Sequence, residues 1–124
     1  MSADRPETQS PERDSQESTC CPSVDHSLSE DDLAADVQTL ATLGTDTRYE
    51  ALRLIAGADE AVCVCELEPA LGVSQGAVSQ ALSRLFSAGL VERRKEGRWR
   101  YYTATRRAQR LLGVLDETRE GASD

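Results

Sequence analysis

No run of apolar residues approaches the roughly 18 needed to cross a bilayer, so the chain does not read as a membrane protein. The opening stretch, MSADRPETQSPERDSQESTCC, has no basic segment followed by an apolar one. That excludes a secretory leader and leads to the expectation of a cytoplasmic protein. In a reducing compartment the four cysteines are expected to bind metal, sense redox state or fill space, and not to form structural disulfides. Histidine is reduced to His26. Charge, by contrast, is plentiful: 22 acidic and 14 basic residues give a net charge of -8, which taken whole argues against a nucleic-acid partner.

The total conceals a division. Residues 1–68 hold 16 acidic and 4 basic side chains, residues 69–110 hold 2 and 9, and residues 111–124 hold 4 and 1. A basic block between Arg84 and Arg110 in an acidic chain is the charge footprint of a phosphate-binding face, whereas the total bears mainly on solubility. Lysine is scarce too, Lys95 being the one lysine among 14 basic residues, and aromatics make up only 4%. This composition resembles that of proteins from salt-accumulating haloarchaea, although a GC-rich genome also favours arginine over lysine.

At 124 residues the expectation is one domain with a modest core, plus tails. Residues 1–27 hold three of the four prolines and few large apolar side chains, so they are expected to form a disordered acidic tail carrying Cys20 and Cys21. Residues 28–118 are assigned to the folded domain and residues 119–124 to a short acidic C-terminal tail. A first helix is predicted from an N-cap at Ser29 through Leu33, Val37, Leu40 and Leu43 to Gly44. A second starts at Thr45 or Asp46, shows Tyr49, Leu52 and Ile55 on one face, and stops at Gly57. A third is placed from about Val62 to Leu71, ending at Gly72, and a fourth from a Ser74 cap to about Ala88. The period then changes to alternation in LVERRKEGRWRYYTA, which predicts a basic hairpin turning at Glu96-Gly97. A last helix carries Ala108, Leu111, Leu112 and Leu115 on one face.

Two short helices joined by LGVSQ and followed by a basic hairpin predict a mainly α fold with a β-hairpin wing: a winged helix-turn-helix of order α-α-α-α-β-β-α, whose second motif helix enters the major groove. On that helix Ser74, Gln75, Ala77, Val78, Ser79 and Gln80 are candidate DNA contacts. They offer amides for adenine edges, hydroxyls for bases or phosphates, and small apolar groups for thymine methyls. Leu82, Leu85 and Phe86 are expected to face the core. Arg84 and the wing residues Arg93, Arg94, Lys95, Arg98 and Arg100 are the candidate phosphate contacts, with Trp99 and Tyr101 or Tyr102 anchoring the hairpin from its other face.

The stretch CVCELEPALGVSQGAVSQALSRLFSAGLVERRKEGRWRYY resembles the ArsR/SmtB family of metal- and metalloid-responsive repressors. Arsenic-sensing members carry a Cys-Val-Cys-acidic-Leu box before the recognition helix, matched here by Cys63, Val64, Cys65, Glu66 and Leu67. The resemblance implies a homodimeric repressor on an inverted-repeat operator, without a prosthetic group, released when As(III) or Sb(III) binds cysteine thiolates. It also implies Cys63 and Cys65 as ligands. Glu68 stands where a third box cysteine often follows, and a carboxylate is a hard, poor donor to so soft a centre, so Cys20 or Cys21 is the candidate third thiolate. Zinc or nickel bound on the last helix, as in other members, would need histidine, and His26 lies far from it in the sequence. Because residues i and i+2 of a regular helix point about 200° apart, both thiolates are expected to reach one centre only if the helix start unwinds.

Two other readings share the cysteines. A thiol-based redox sensor of the same fold would respond to peroxide or diamide without arsenite. A thiol reductase built on Cys20-Cys21 is disfavoured, because no helix N-terminus is expected beside them to lower a thiol pKa. The ordinary reading of Cys63 and Cys65 is core filling beside Val62, Val64 and Leu67.

Overall fold

The computed structural model describes residues 22–123, so Cys20 and Cys21 lie outside the described residues. The elements run α1 (Glu30–Thr42), α2 (Asp46–Gly57), β1 (Val62–Cys63), α3 (Val64–Leu71), α4 (Gln75–Ser87), β2 (Val91–Glu96), β3 (Trp99–Ala104) and α5 (Arg106–Ser123). Side chains cap the helix starts: Ser29 Oγ accepts from the Asp32 N–H at 3.0 Å, Thr45 Oγ1 from Arg48 at 3.4 Å, Ser74 Oγ from Ala77 at 3.1 Å and Thr105 Oγ1 from Ala108 at 3.2 Å, while α3 is capped by Cys63. Gly72, at φ 70°, ends α3 in a left-handed conformation and lets the chain turn directly into α4.

The core gathers Leu52 of α2, Leu67 of α3, Val78, Leu82 and Leu85 of α4, then Leu90 and Val91, all at most 2% exposed. Replacing Leu82 by alanine is expected to cost about 2–5 kcal/mol, because the close-packed surroundings collapse only partly into the space left. Urea unfolding of the variant against the natural chain measures this.

β1 was not legible as a strand. Its two residues pair with β3, Val62 opposite Tyr102 and Cys63 opposite Tyr101, giving an antiparallel sheet of order β1-β3-β2. A two-residue strand leaves no periodicity to read, and it moves the start of α3 from the expected Val62 to Val64. The wing closes with Glu96 opposite Trp99, so the turn residues are Gly97 and Arg98, not Glu96 and Gly97. Gly97 takes φ 60°, which a two-residue hairpin turn requires.

Two aromatic expectations fail. Phe86 is 40% exposed, because the buried stripe of α4 is Val78, Ala81, Leu82 and Leu85 and the next residue turns about 100° away from it. The Arg93 guanidinium sits 4.1 Å from the Phe86 ring centre. Trp99 is half exposed, leaving Tyr102 as the buried anchor of the wing.

Leu33, Val37 and Leu40 of α1 and Val114 and Leu115 of α5 are likewise exposed, so the apolar stripes of these helices are not covered by the domain's own core. α5 stays helical through Ser123, past the 118 boundary expected from sequence. Polar ties hold the outer helices: Arg107 donates to Thr39 Oγ1 at 2.9 Å and to the Ala88 carbonyl at 3.2 Å, while Arg53 donates to Asp116 at 2.8 Å and to Tyr49 Oη at 2.8 Å. Hydrogen bonding to Arg53, and then to Arg119, holds the Asp116 carboxyl below its ordinary range.

Candidate nucleic-acid interface and thiol site

α4 presents two exposed flanks on either side of its outer ridge. Gln75, Ser79 and Ser83, spaced four apart, line one flank and face the wing. Ala77, Gln80 and Arg84 line the other, beside Thr45, Thr47 and Arg48 at the start of α2. Ser74 caps the helix through its oxygen and keeps its hydroxyl proton free to donate. Val78 is the exception among the helix candidates. It is 0% exposed within the core, so it cannot reach a base edge. Ser83 was missed, although it continues the spacing of Gln75 and Ser79 by one turn.

Strand alternation divides the wing cations. Arg93, Lys95 and Arg100 share the face of the buried Tyr102, the face that looks toward α4. Arg94 lies on the opposite face with Tyr101, donates to Glu96 at 3.1 Å and stacks 5.4 Å from the Tyr101 ring centre. Arg98 is exposed at the turn. A cleft of about 860 Å³ opens between α4 and the wing, with Lys95, Arg98, Trp99 and Arg100 on the wing side.

The third wall of that cleft is the start of α3, with Cys63, Val64, Cys65 and Glu68. Cys63 is not inside the helix. It is the N-cap, in extended backbone, with its N–H donating to the Glu66 carboxylate at 3.1 Å and its sulfur accepting from the Cys65 N–H at 3.4 Å. The extended cap turns its side chain toward Cys65, and the two sulfurs lie 2.7 Å apart as free thiols. The expectation that the helix start must unwind before both sulfurs reach one centre is therefore corrected: a bend between strand and helix already brings them together. Burial separates the pair, since Cys63 is 5% exposed and Cys65 is open to solvent, so core filling accounts for the first alone. The hydrogen bond to Cys63, followed by desolvation, raises the Cys65 thiol above its ordinary range. Among the described residues no three His, Cys, Asp or Glu side chains cluster as a metal site.

Comparison with known proteins bears on the family and the fold. Residues 45–93 match the family model described as bacterial regulatory protein, arsR family. The chain is 55% identical over 106 residues to a Halobacterium salinarum protein named as an arsenical resistance operon repressor, ArsR2, covering 86% of this chain and 87% of that one. A second protein of that organism, named as the repressor ArsR, is 48% identical over 87 residues, 70% of this chain and 67% of its own. Both come from an organism that fits the acidic, lysine-poor composition. The solution structure of the homodimeric winged helix-turn-helix DNA-binding domain Mb0332 from Mycobacterium bovis superposes with a TM-score of 0.66 at 25% identity, over 77% of this chain and 90% of that one.

Proposed function

The chain belongs to the arsR family of regulatory proteins, and on that footing we propose that it is a cytoplasmic, homodimeric repressor that leaves its inverted-repeat operator when As(III) or Sb(III) binds cysteine thiolates. It is a transcriptional regulator and not an enzyme. The observation that carries the inducer is the contact of Cys63 and Cys65 at the head of the helix that leads into α4. Trivalent arsenic is soft and binds thiolate in preference to carboxylate. Each thiol that replaces a hydroxide of arsenous acid gives up its proton to that hydroxide, and one water leaves per As–S bond. Cys63 and Cys65 supply two bonds, and Cys20 or Cys21, from the same or the partner subunit, supplies the third in place of the hard Glu68.

Operator titration with arsenite and antimonite under full reduction tests this reading, with release at micromolar metalloid expected. The sulfur contact also favours one rival, oxidation of the same pair by peroxide or diamide. Release by diamide but not by arsenite would select it.

The exposed Leu33, Val37 and Leu40 of α1 and Val114 and Leu115 of α5 support the homodimer, because two copies burying these stripes remove them from water together. Sedimentation at micromolar protein in high salt is expected to return twice the chain mass of 13.5 kDa, and a monomer mass would overturn the assignment.

A further inference from the structure

We propose that operator DNA and a group held on Cys65 occupy the same cleft, so that inducer and DNA exclude each other by direct overlap. This rests on the reading of α4 as the recognition helix and adds to it the physical means of release. A helix seated in the major groove has a phosphate strand along each of its flanks, because the groove is about 12 Å wide and the helix fills it. On one flank of α4 that strand must run between Gln75, Ser79 and Ser83 and the wing, where Lys95, Arg98 and Arg100 supply the cations that would hold it. Cys65 opens into that same space from α3 and is exposed, while Cys63 behind it is buried. The sulfurs already lie side by side at the head of α3, so a ligand can reach both without α3 first unwinding. What a ligand does change is the volume and charge in the path of the DNA strand.

Two consequences follow, and neither depends on metalloid. Bound operator shields Cys65, and any adduct on Cys65 weakens operator binding while the helices stay folded. The full-length reduced protein is treated with iodoacetamide, and modification of Cys65 is followed by tandem mass spectrometry with no DNA, with a duplex selected for binding from a random pool, and with a non-binding duplex. At operator about 100 times its Kd the free fraction is about 1%, so the Cys65 rate is expected to fall by up to about a hundredfold with the binding duplex alone. In the second arm, protein alkylated at Cys65 by N-ethylmaleimide is expected to lose at least about tenfold in operator affinity, roughly 1.4 kcal/mol, with an unchanged helical circular dichroism spectrum.

An unchanged Cys65 rate in the operator complex, or an adduct that binds operator normally, would overturn the shared cleft, as would loss of helix in the alkylated protein. These outcomes separate from the fate of the proposed inducer. Arsenite release from a complex in which Cys65 stays reactive keeps the repressor reading and ends this one; shielding of Cys65 without arsenite release does the opposite.

Discussion

Arsenite added to the operator complex of the Cys63→Ser or the Cys65→Ser protein is expected to leave it intact at concentrations that strip the natural chain from DNA. Either change removes one of the two touching sulfurs and substitutes a hard hydroxyl that does not hold a soft trivalent centre. The coupling between inducer and DNA, typically about 5- to 150-fold in such systems, should fall to about one. Folding should survive both changes. Serine at 63 is a stronger N-cap than cysteine and can accept the Cys65 N–H that the sulfur accepts now, while serine at 65 is a near-isosteric change at an exposed position. Fluorescence anisotropy of a labelled operator, titrated with arsenite at fixed protein, measures the outcome. Release that persists in both variants would move the sensor to Cys20 and Cys21.

Gln75→Ala and Gln80→Ala are expected to weaken operator binding by about 1–3 kcal/mol each and to leave binding to random DNA nearly unchanged, since an amide that reads adenine bidentately contributes only where that base is present. The two residues lie on opposite flanks of α4, so their losses should be close to additive. Arg100→Ala should behave differently. It faces the cleft, and its loss is expected to weaken both kinds of binding at low salt and to reduce the salt slope by about one. Arg94 is the internal control: from sequence it was expected to act as a phosphate contact, but its guanidinium lies on the far face of the wing and is engaged by Glu96 and Tyr101.

The contrast matters most at high salt, the condition to which the acidic, lysine-poor composition points. Phosphate-driven affinity falls by roughly a thousandfold or more between about 50 and 200 mM salt for 6 to 10 contacts, so base reading must carry a larger share of discrimination there. Operator and random-duplex affinities across a potassium chloride series test both halves, and equal losses on the two duplexes for the glutamine variants would show that these side chains do not read bases.

The helices were readable because the forces that start, stop and orient a helix act within a few residues. Ser29, Thr45 and Ser74 cap where their sequence context places them, and the Leu82 and Leu85 stripe of α4 is buried as its spacing predicts. The wing was readable from its alternation and its glycine turn, to within one residue. Val78 was misassigned because a small apolar residue near a helix N-terminus fits a thymine methyl and a core site equally well, and only the packing of α4 on its neighbours decides between them.

The sequence by itself therefore determined the elements, their order, the basic character of one region and the presence of a thiol pair, all of which follow from local propensity and composition. The tertiary structure alone decided what those parts face. Pairing of Val62 and Cys63 with Tyr102 and Tyr101, far along the chain, holds Cys63 in extended backbone outside the helix, turns its sulfur onto that of Cys65, and places both beside the cationic wing. Such an arrangement depends on contacts whose closure entropy is recovered only when the whole core assembles, so no short window of residues contains it.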